Sequence, residues 1–375
     1  MSNSADVVVI GGGIIGCACA YYLARDGHRV VLVERGEIAS GAASASGGWV
    51  IIQNKEAADY VSFALASRRL YDDLVEDAGV QFRATGGLIL ATGEGDRQIL
   101  HQQAAVARTG GAAVEELDGS SLRELEPALS PGLPGALYCT DEGVVDPPEV
   151  CRNLARRASQ LGADIRVDST VIGIEVERGR VARIVTSSGP VASRTVVCAA
   201  GAWSSQIGTM VGLEIPVTPR RGHLIVTEVA GLVSRPMLEA GYLAIPDDNH
   251  PDDHGLRFVM QPRADGRCLI GSSREFAGFD LDVNADLVRR MHAHAARFVP
   301  AVAQSRVARV TVGFRPYTLR DQPLVGRAGP DGFIIASGHE GQGITLAPVT
   351  GHIVADLIAG RIDRTGLELQ LTTPV

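Results

Sequence analysis

Val7-Val8-Val9-Ile10-Gly11-Gly12-Gly13-Ile14-Ile15-Gly16 decides the fold. Four apolar residues without alternation read as a short strand buried on both faces, the kind found in parallel sheets. Gly11-x-Gly13-x-x-Gly16 follows at once, and a helix is expected from there to about Asp26, ended by Gly27. Arg29-Val-Val-Leu-Val-Glu34 reads as a second buried strand, ending in an acid 18 residues after Gly16. Each part has a physical task. Gly11 makes the tight turn, Gly13 lets the backbone reach a pyrophosphate, and Gly16 lets the helix pack on the strand. The helix N-terminus attracts phosphate charge, and Glu34 is placed to bind a ribose hydroxyl. Strand, glycines, helix, strand and acid in register predict a dinucleotide site.

The same segment holds a trap, because Val7 to Ala24 carries no charge and a hydropathy window flags a membrane span. The basic leader of a signal peptide is missing, Asp6 precedes the run, and the glycines fit a nucleotide turn better. Composition narrows the classes further. The 375 residues suggest two domains or one large one, and 45% hydrophobic content with 21% charge excludes a disordered chain. A net charge of −8 without any Lys/Arg block argues against nucleic acid. Six scattered cysteines, with no C-x-x-C pair, read as reduced thiols of a cytoplasmic protein. Cys17 and Cys19 face apart on the expected helix, so no metal site is expected there. Lys55 is the only lysine among 35 basic residues.

Outward from Glu34, Ser40-Gly-Ala-Ala-Ser-Ala-Ser-Gly-Gly48 lets backbone N–H groups approach a ligand, and the apolar Trp49-Val-Ile-Ile52 ties it to the core. Thr85 to Ala91 reads as a strand and Glu94 to Arg108 as a helix. Asp146-Pro-Pro-Glu149 starts another helix, with Asp146 as N-cap. Ile165 to Ala200 reads as a strand and an antiparallel meander turning at Arg178-Gly179 and Ser188-Gly189-Pro190. Residues 212 to 315 read as an antiparallel sheet with a helix from Asn284 to Phe298. The chain then repeats its opening pattern: strand Phe333 to Ala336, Gly-rich turn Gly338 to Gly343, helix Ile344 to Ala359.

The expected fold is mixed α/β: a Rossmann-like parallel sheet with an antiparallel meander, plus a substrate domain of antiparallel sheet and helices. The expected division is discontinuous, 1–82 with 145–211 and 316–375 for the cofactor, 83–144 with 212–315 for the substrate. A second helix N-terminus near Gly343 suits an extended ligand and would stabilise negative charge on a reduced ring, which favours FAD over a nicotinamide cofactor.

The sequence resembles the D-amino-acid-oxidase-like flavoproteins, a group including glycine and sarcosine oxidases. The likeness is carried by Gly11 to Gly16 with Glu34, Gly41 to Gly48, Val197-Cys-Ala-Ala-Gly-Ala-Trp-Ser204, Pro219-Arg-Arg-Gly-His223, Gly313-Phe-Arg-Pro-Tyr-Thr318 and Gly338-His-Glu-Gly-Gln-Gly343. Gly48 to Lys55, Glu239-Ala-Gly-Tyr-Leu243 and Gly338 to Pro348 are most similar to the FAD-bearing small subunit of heteromeric opine or D-hydroxyproline dehydrogenases. The resemblance implies oxidation of an amino-acid-like amine by hydride transfer to flavin N5, giving an imine that hydrolyses. It implies a hetero-oligomer in which electrons leave for a partner subunit carrying iron–sulfur or FAD centres. A stand-alone oxidase making peroxide and a non-catalytic FAD-bearing scaffold are the alternatives.

Residue by residue, the resemblance assigns to the cofactor Gly11, Gly13, Ile14, Ile15, Gly16, Glu34, Arg35, Ser40, Gly41, Ala42, Ser44, Ser46, Gly47 and Gly48. It adds Val171, Ala200, Gly201, Trp203, Gly338, His339, Gly341, Gln342, Gly343 and Ile344. Arg315 is expected to grip a substrate carboxylate, with a structural ion pair as the competing reading. It stands near the cysteine that sarcosine-oxidase-like members link to flavin, so the FAD is expected to be non-covalent. Tyr242 is either a second carboxylate contact or a core tyrosine. His223 either faces the flavin or is a satisfied structural histidine, and His339 is read as positioning the cofactor. Arg267 to Gly271 lacks the lysine that sarcosine-oxidase-like members use to activate oxygen, which leans toward a dehydrogenase. Lys55 follows the flavin-contacting loop and is a site candidate against a solvated surface lysine. The run Asp247 to His254 reads as an acidic hairpin loop and not a metal site, and His292-x-His294 points to opposite sides of a helix.

Overall fold

The computed structural model describes residues 3–243, 255–319 and 322–361. The run Asp247 to His254 lies outside the described residues. A six-stranded sheet places Val7–Ile10 at its centre, in the order Leu324–Arg327, Phe333–Ser337, Val196–Cys198, Val7–Ile10, Val30–Val33, Asp164–Arg166. All pairs are parallel except the first.

Side-chain alternation explains why these strands are apolar throughout. Val7, Val9, Val30, Leu32, Val197, Ile334 and Ala336 face a layer of helices. Val8, Ile10, Val31, Val33, Val196, Cys198, Phe333 and Ile335 face the meander Val171–Glu177, Arg180–Thr186, Gly189–Ala192. Helix Ile14–Arg25 is walled in by Pro147–Gln160 and Gly343–Ala359, which is why nearly all of it is buried and its first two turns carry no charge. No helix among the described residues is long and apolar enough to cross a membrane.

Local signals explain the helix ends and turns. Asp146 accepts a hydrogen bond from the Glu149 N–H at 3.0 Å, and Asn284 one from Leu287 at 3.1 Å, so both N-caps stand where side-chain chemistry puts them. Arg178 and Gly179, with φ of 50° and 77°, make the hairpin turn of the meander. Helix Ala58–Ala78 has no counterpart in the sequence reading. It starts without a side-chain cap, and its apolar face is diluted by charge.

An eight-stranded sheet runs in the order Val307–Tyr317, Thr218–Ala230, Arg267–Gly271, Val259–Pro262, Met237–Glu239, Gly87–Ala91, Gly135–Cys139, Val114–Asp118. Helix Ala285–Phe298 packs its Leu287, Val288, Met291 and Ala295 on one face. Part of the other face, with Leu238 and Val259, packs toward Trp49 and Ile51 of the first unit. There the short strand Trp49–Val50 pairs with Gly143–Val144.

Candidate active site

A cavity of about 580 Å³ opens where the first strands of the parallel sheet end and the eight-stranded sheet begins. That is the size of a typical cofactor pocket. Its floor is the glycine turn. Gly11 has φ +113°, and a Cβ there would lie 2.5 Å from the Ala199 carbonyl oxygen. Gly13 lines the cavity with open space where a Cβ would stand. Gly16 does not line it, and its lost side chain has a packing reason: a Cβ would lie 1.8 Å from the Gly11 oxygen. Glu34 accepts hydrogen bonds from the Gly12 N–H at 2.6 Å and the Gly36 N–H at 2.9 Å. It therefore shapes the turn while still facing the cavity.

Of the other residues expected at the cofactor, Ile14, Ile15, Arg35, Ser40, Gly41, Ala42, Ser44, Ser46, Gly47, Val171, Ala200, Gly201 and Trp203 line the cavity. So do His339, Gly341, Gln342, Gly343 and Ile344. The Arg35 guanidinium lies 3.9 Å from the centre of the Trp203 ring. Gly48 and Gly338 stand behind the wall. A Cβ on Gly48 would lie 1.7 Å from the Val145 oxygen, and Gly338 has φ +77° against Thr318.

Two helices begin at the cavity, Ile14–Arg25 and Gly343–Ala359, and neither has a side-chain cap. Their first N–H groups are thus free for an anionic ligand. His339 is buried, its Nε2 hydrogen-bonds Thr350 Oγ1 at 3.0 Å, and its Nδ1 has no protein partner. Burial pushes its pKa down to about 3, so the ring is neutral near pH 7. Ser272 Oγ, also on the wall, lacks a protein partner too. A glycine cradle, two open helix N-termini and two unpartnered polar atoms fit a long, polyanionic cofactor with a polar ring, which is the chemistry of FAD.

The far part of the wall is apolar, with Leu224, Leu238, Val259 and Leu269, and Arg315 and Tyr242 bring polar groups to it. Arg315 donates from Nη1 to the Ser273 carbonyl at 2.9 Å, and its Nε lies 3.7 Å from Glu340 Oε1. Desolvation lowers its pKa from the ordinary value, opposed by the Glu340 carboxylate. Glu340 is buried with φ 44°, an unusual conformation for a residue with a side chain. Burial raises its pKa, but Arg220, Arg274 and Arg315 outweigh burial and hold it ionised. Arg220 takes most of that charge by forking onto Glu340, which leaves Arg315 to face the cavity. Arg274 stacks its guanidinium 4.5 Å from the centre of the Tyr242 ring.

Two expectations change. His223 does not face the cavity. Its neighbours Gly222 and Leu224 do, and strand alternation turns His223 to the opposite side. There its ring meets Ser273 Oγ at 3.2 Å and accepts from the Asn284 N–H at 3.2 Å, so it is a structural histidine. Lys55 is not on the surface. It is 1% exposed, behind the wall, and donates to Ile51 O, Asn54 Oδ1 and Gln342 Oε1.

Glu142 and Asn54 were missed. Buried Glu142 accepts from the Ile52 and Gln53 N–H groups and from Trp49 Nε1, at 2.7 to 2.8 Å, and so holds the segment after the small-residue loop. Nothing in Thr140-Asp-Glu-Gly143 signals this, because its partners lie about 90 residues earlier.

Comparison with known proteins agrees with this construction. The family model described as FAD dependent oxidoreductase, DAO, matches residues 6–357. Glycine oxidase of Geobacillus kaustophilus is 32% identical over 370 residues, covering 96% of this chain and 94% of the relative. A crystal structure of glycine oxidase from that organism superimposes with a TM-score of 0.88 at 30% identity, covering all of both chains. Hydrogen cyanide synthase subunit HcnC of Pseudomonas aeruginosa is 28% identical over 403 residues, covering 96% of this chain and 93% of the relative. With a cavity built for FAD and a family match across nearly its whole length, this chain belongs to the DAO family of FAD-dependent oxidoreductases.

Proposed function

We propose that the protein oxidises the C–N bond of a small amine bearing a carboxylate, giving an imine that hydrolyses in water. Arg315 carries this reading: a planar cation at the apolar end of the cavity, with its nearest counter-charge already committed to Arg220. A bidentate carboxylate contact there fixes where the α-carbon sits. Tyr242 lines the same end and adds a hydroxyl. The leucine and valine wall keeps water from the reacting carbon. FAD, when bound, supplies the two-electron acceptor. We take it to be non-covalent, since the resemblance puts Arg315 near the position where sarcosine-oxidase-like members carry the linking cysteine. Residues 1–82, 145–211 and 316–375 serve FAD in this reading, and 83–144 with 212–315 serve the substrate. The six cysteines among the described residues are all free and buried, in keeping with a cytoplasmic setting.

The glycine oxidase relatives favour glycine-like substrates and oxygen as acceptor. HcnC, a subunit by name, is in keeping with a chain that works beside a partner. A dehydrogenase passing electrons to that partner, with opine-like or D-proline-like amines as substrates, rests on the sequence resemblance alone. Anaerobic mixing of the FAD-loaded protein with glycine, sarcosine, D-proline, D-hydroxyproline and opines tests the reading. At least one bleaches the flavin. Return of colour within seconds of admitting air identifies an oxidase, and persistence of the bleached form a dehydrogenase. Bleaching by none of these amines contradicts the proposal.

A further inference from the structure

We propose that Lys55 is a positioning residue that fixes which end of the Gln342 amide faces the cavity. Its side chain is buried, and its ammonium meets one backbone carbonyl and two side-chain amide oxygens, those of Asn54 and Gln342. An ammonium has three donors and no acceptor, so each amide must turn its oxygen toward it. The NH2 groups then point the other way, and Asn54 and Gln342 both line the cavity.

The backbone that carries Lys55 is held in place from two further sides. Gln103 Nε2 donates to the Gln53 and Lys55 carbonyls at 2.6 and 2.8 Å. Thr345 Oγ1 accepts from the Ile51 N–H at 3.0 Å, which ties the segment to helix Gly343–Ala359. A solvated lysine would need none of this, whereas burying an ammonium is costly unless its hydrogen bonds are all made.

Gln342 immediately precedes helix Gly343–Ala359, so its NH2 joins the free N–H groups of the first helical turn. The result is a donor-rich edge for an anionic acceptor. That acceptor is either the reduced cofactor or the carboxylate of a bound amine, the second resting on the function proposed above. Without Lys55, the Gln342 amide loses its reason to keep this orientation.

The test uses FAD-loaded wild type and the variants Lys55→Met, Lys55→Arg, Gln342→Met and the Lys55→Met/Gln342→Met pair. Two readouts need no turnover: the midpoint potential of bound FAD without added carboxylate, and acetate titration followed by flavin absorbance. Lys55→Met and Gln342→Met should shift the same readout in the same direction. The expected size is about tenfold, either in acetate Kd or in the ratio of reduced to oxidised FAD affinity, the latter about 30 mV lower. The pair should go no further than either single change, and Lys55→Arg should stay near wild type. A shifted potential assigns the acceptor to FAD, and a raised acetate Kd assigns it to the carboxylate. Wild-type values for Lys55→Met in both readouts, or additive effects in the pair, overturn the proposal. Should Lys55→Met not fold, Gln342→Glu decides: it keeps an oxygen for Lys55 but turns an acceptor to the cavity. The proposal expects it to shift at least as far as Gln342→Met, and wild-type behaviour overturns it. Because neither readout involves oxidation of an amine, failure here is distinct from failure of the proposed function.

Discussion

Gly222 lacks a side chain because the Arg315 guanidinium needs the room. The two residues lie on paired strands, and a Cβ on Gly222 would stand 2.3 Å from Arg315 Nη1. That atom is the end of a flexible side chain, so Gly222→Ala should displace the guanidinium without unfolding the sheet. The expected outcome is a KM about tenfold higher for the amino-acid substrate, equivalent to about 1.4 kcal/mol of binding. The melting temperature should change little. An unchanged KM would place the carboxylate elsewhere. At this scale the place of Arg315 on the cavity wall was legible, since its residue type and flanking motif are local. The need for glycine at 222 was not, because it arises from cross-strand register. His223 misled for a related reason: adjacent residues on a strand face opposite ways, and the sequence does not say which face holds the cavity.

Among the elements, the segment Trp49 to Lys55 joins the small-residue loop to the rest of the site, and Glu142 is its anchor. Burial raises the Glu142 pKa from 4.5 to about 6, although the Gln53, Ile52 and Trp49 donors pull it down. A folded-state pKa above the unfolded value means that the folded protein binds the proton more tightly. The contribution of Glu142 to stability is then full below pH 4.5 and falls as pH rises to about 6. The loss is about 2 kcal/mol. Glu142→Gln removes this slope and leaves donors on the 49–53 segment poorly matched. Urea unfolding of the FAD-loaded protein should show wild type exceeding the variant by more at pH 4.5 than at pH 7.5. A difference independent of pH would contradict the assignment. Elements with strong local punctuation, such as the glycine turn, the Asp146 and Asn284 caps and the Arg178-Gly179 hairpin, were legible. Helix Ala58–Ala78 lacks a capping side chain, and the pairing of Trp49–Val50 with Gly143–Val144 spans about 90 residues, so neither had a local signal.

Taken whole, the molecule brings an early and a late segment of the chain to one cavity. A glycine turn near residue 11 and a helix start near residue 343 supply two sites for negative charge on one long ligand. The parallel sheet was legible because both its faces are covered and its strands are therefore apolar without interruption. The end of the cavity around Arg315 was less so, since the charges of Arg220, Arg274, Arg315 and Glu340 converge from four separate segments. The central claim is that Arg315 recognises a carboxylate beside the reacting C–N bond. Anaerobic stopped-flow reduction of bound FAD in wild type and Arg315→Met tests it most directly, using the best amino acid of the panel and the same amine without its carboxylate. The amino acid should reduce the variant about 100-fold less efficiently than wild type, the scale of a lost charge-assisted pair, while the decarboxylated amine, already poor, changes little. Equal reduction of wild type and variant by the amino acid would contradict the claim.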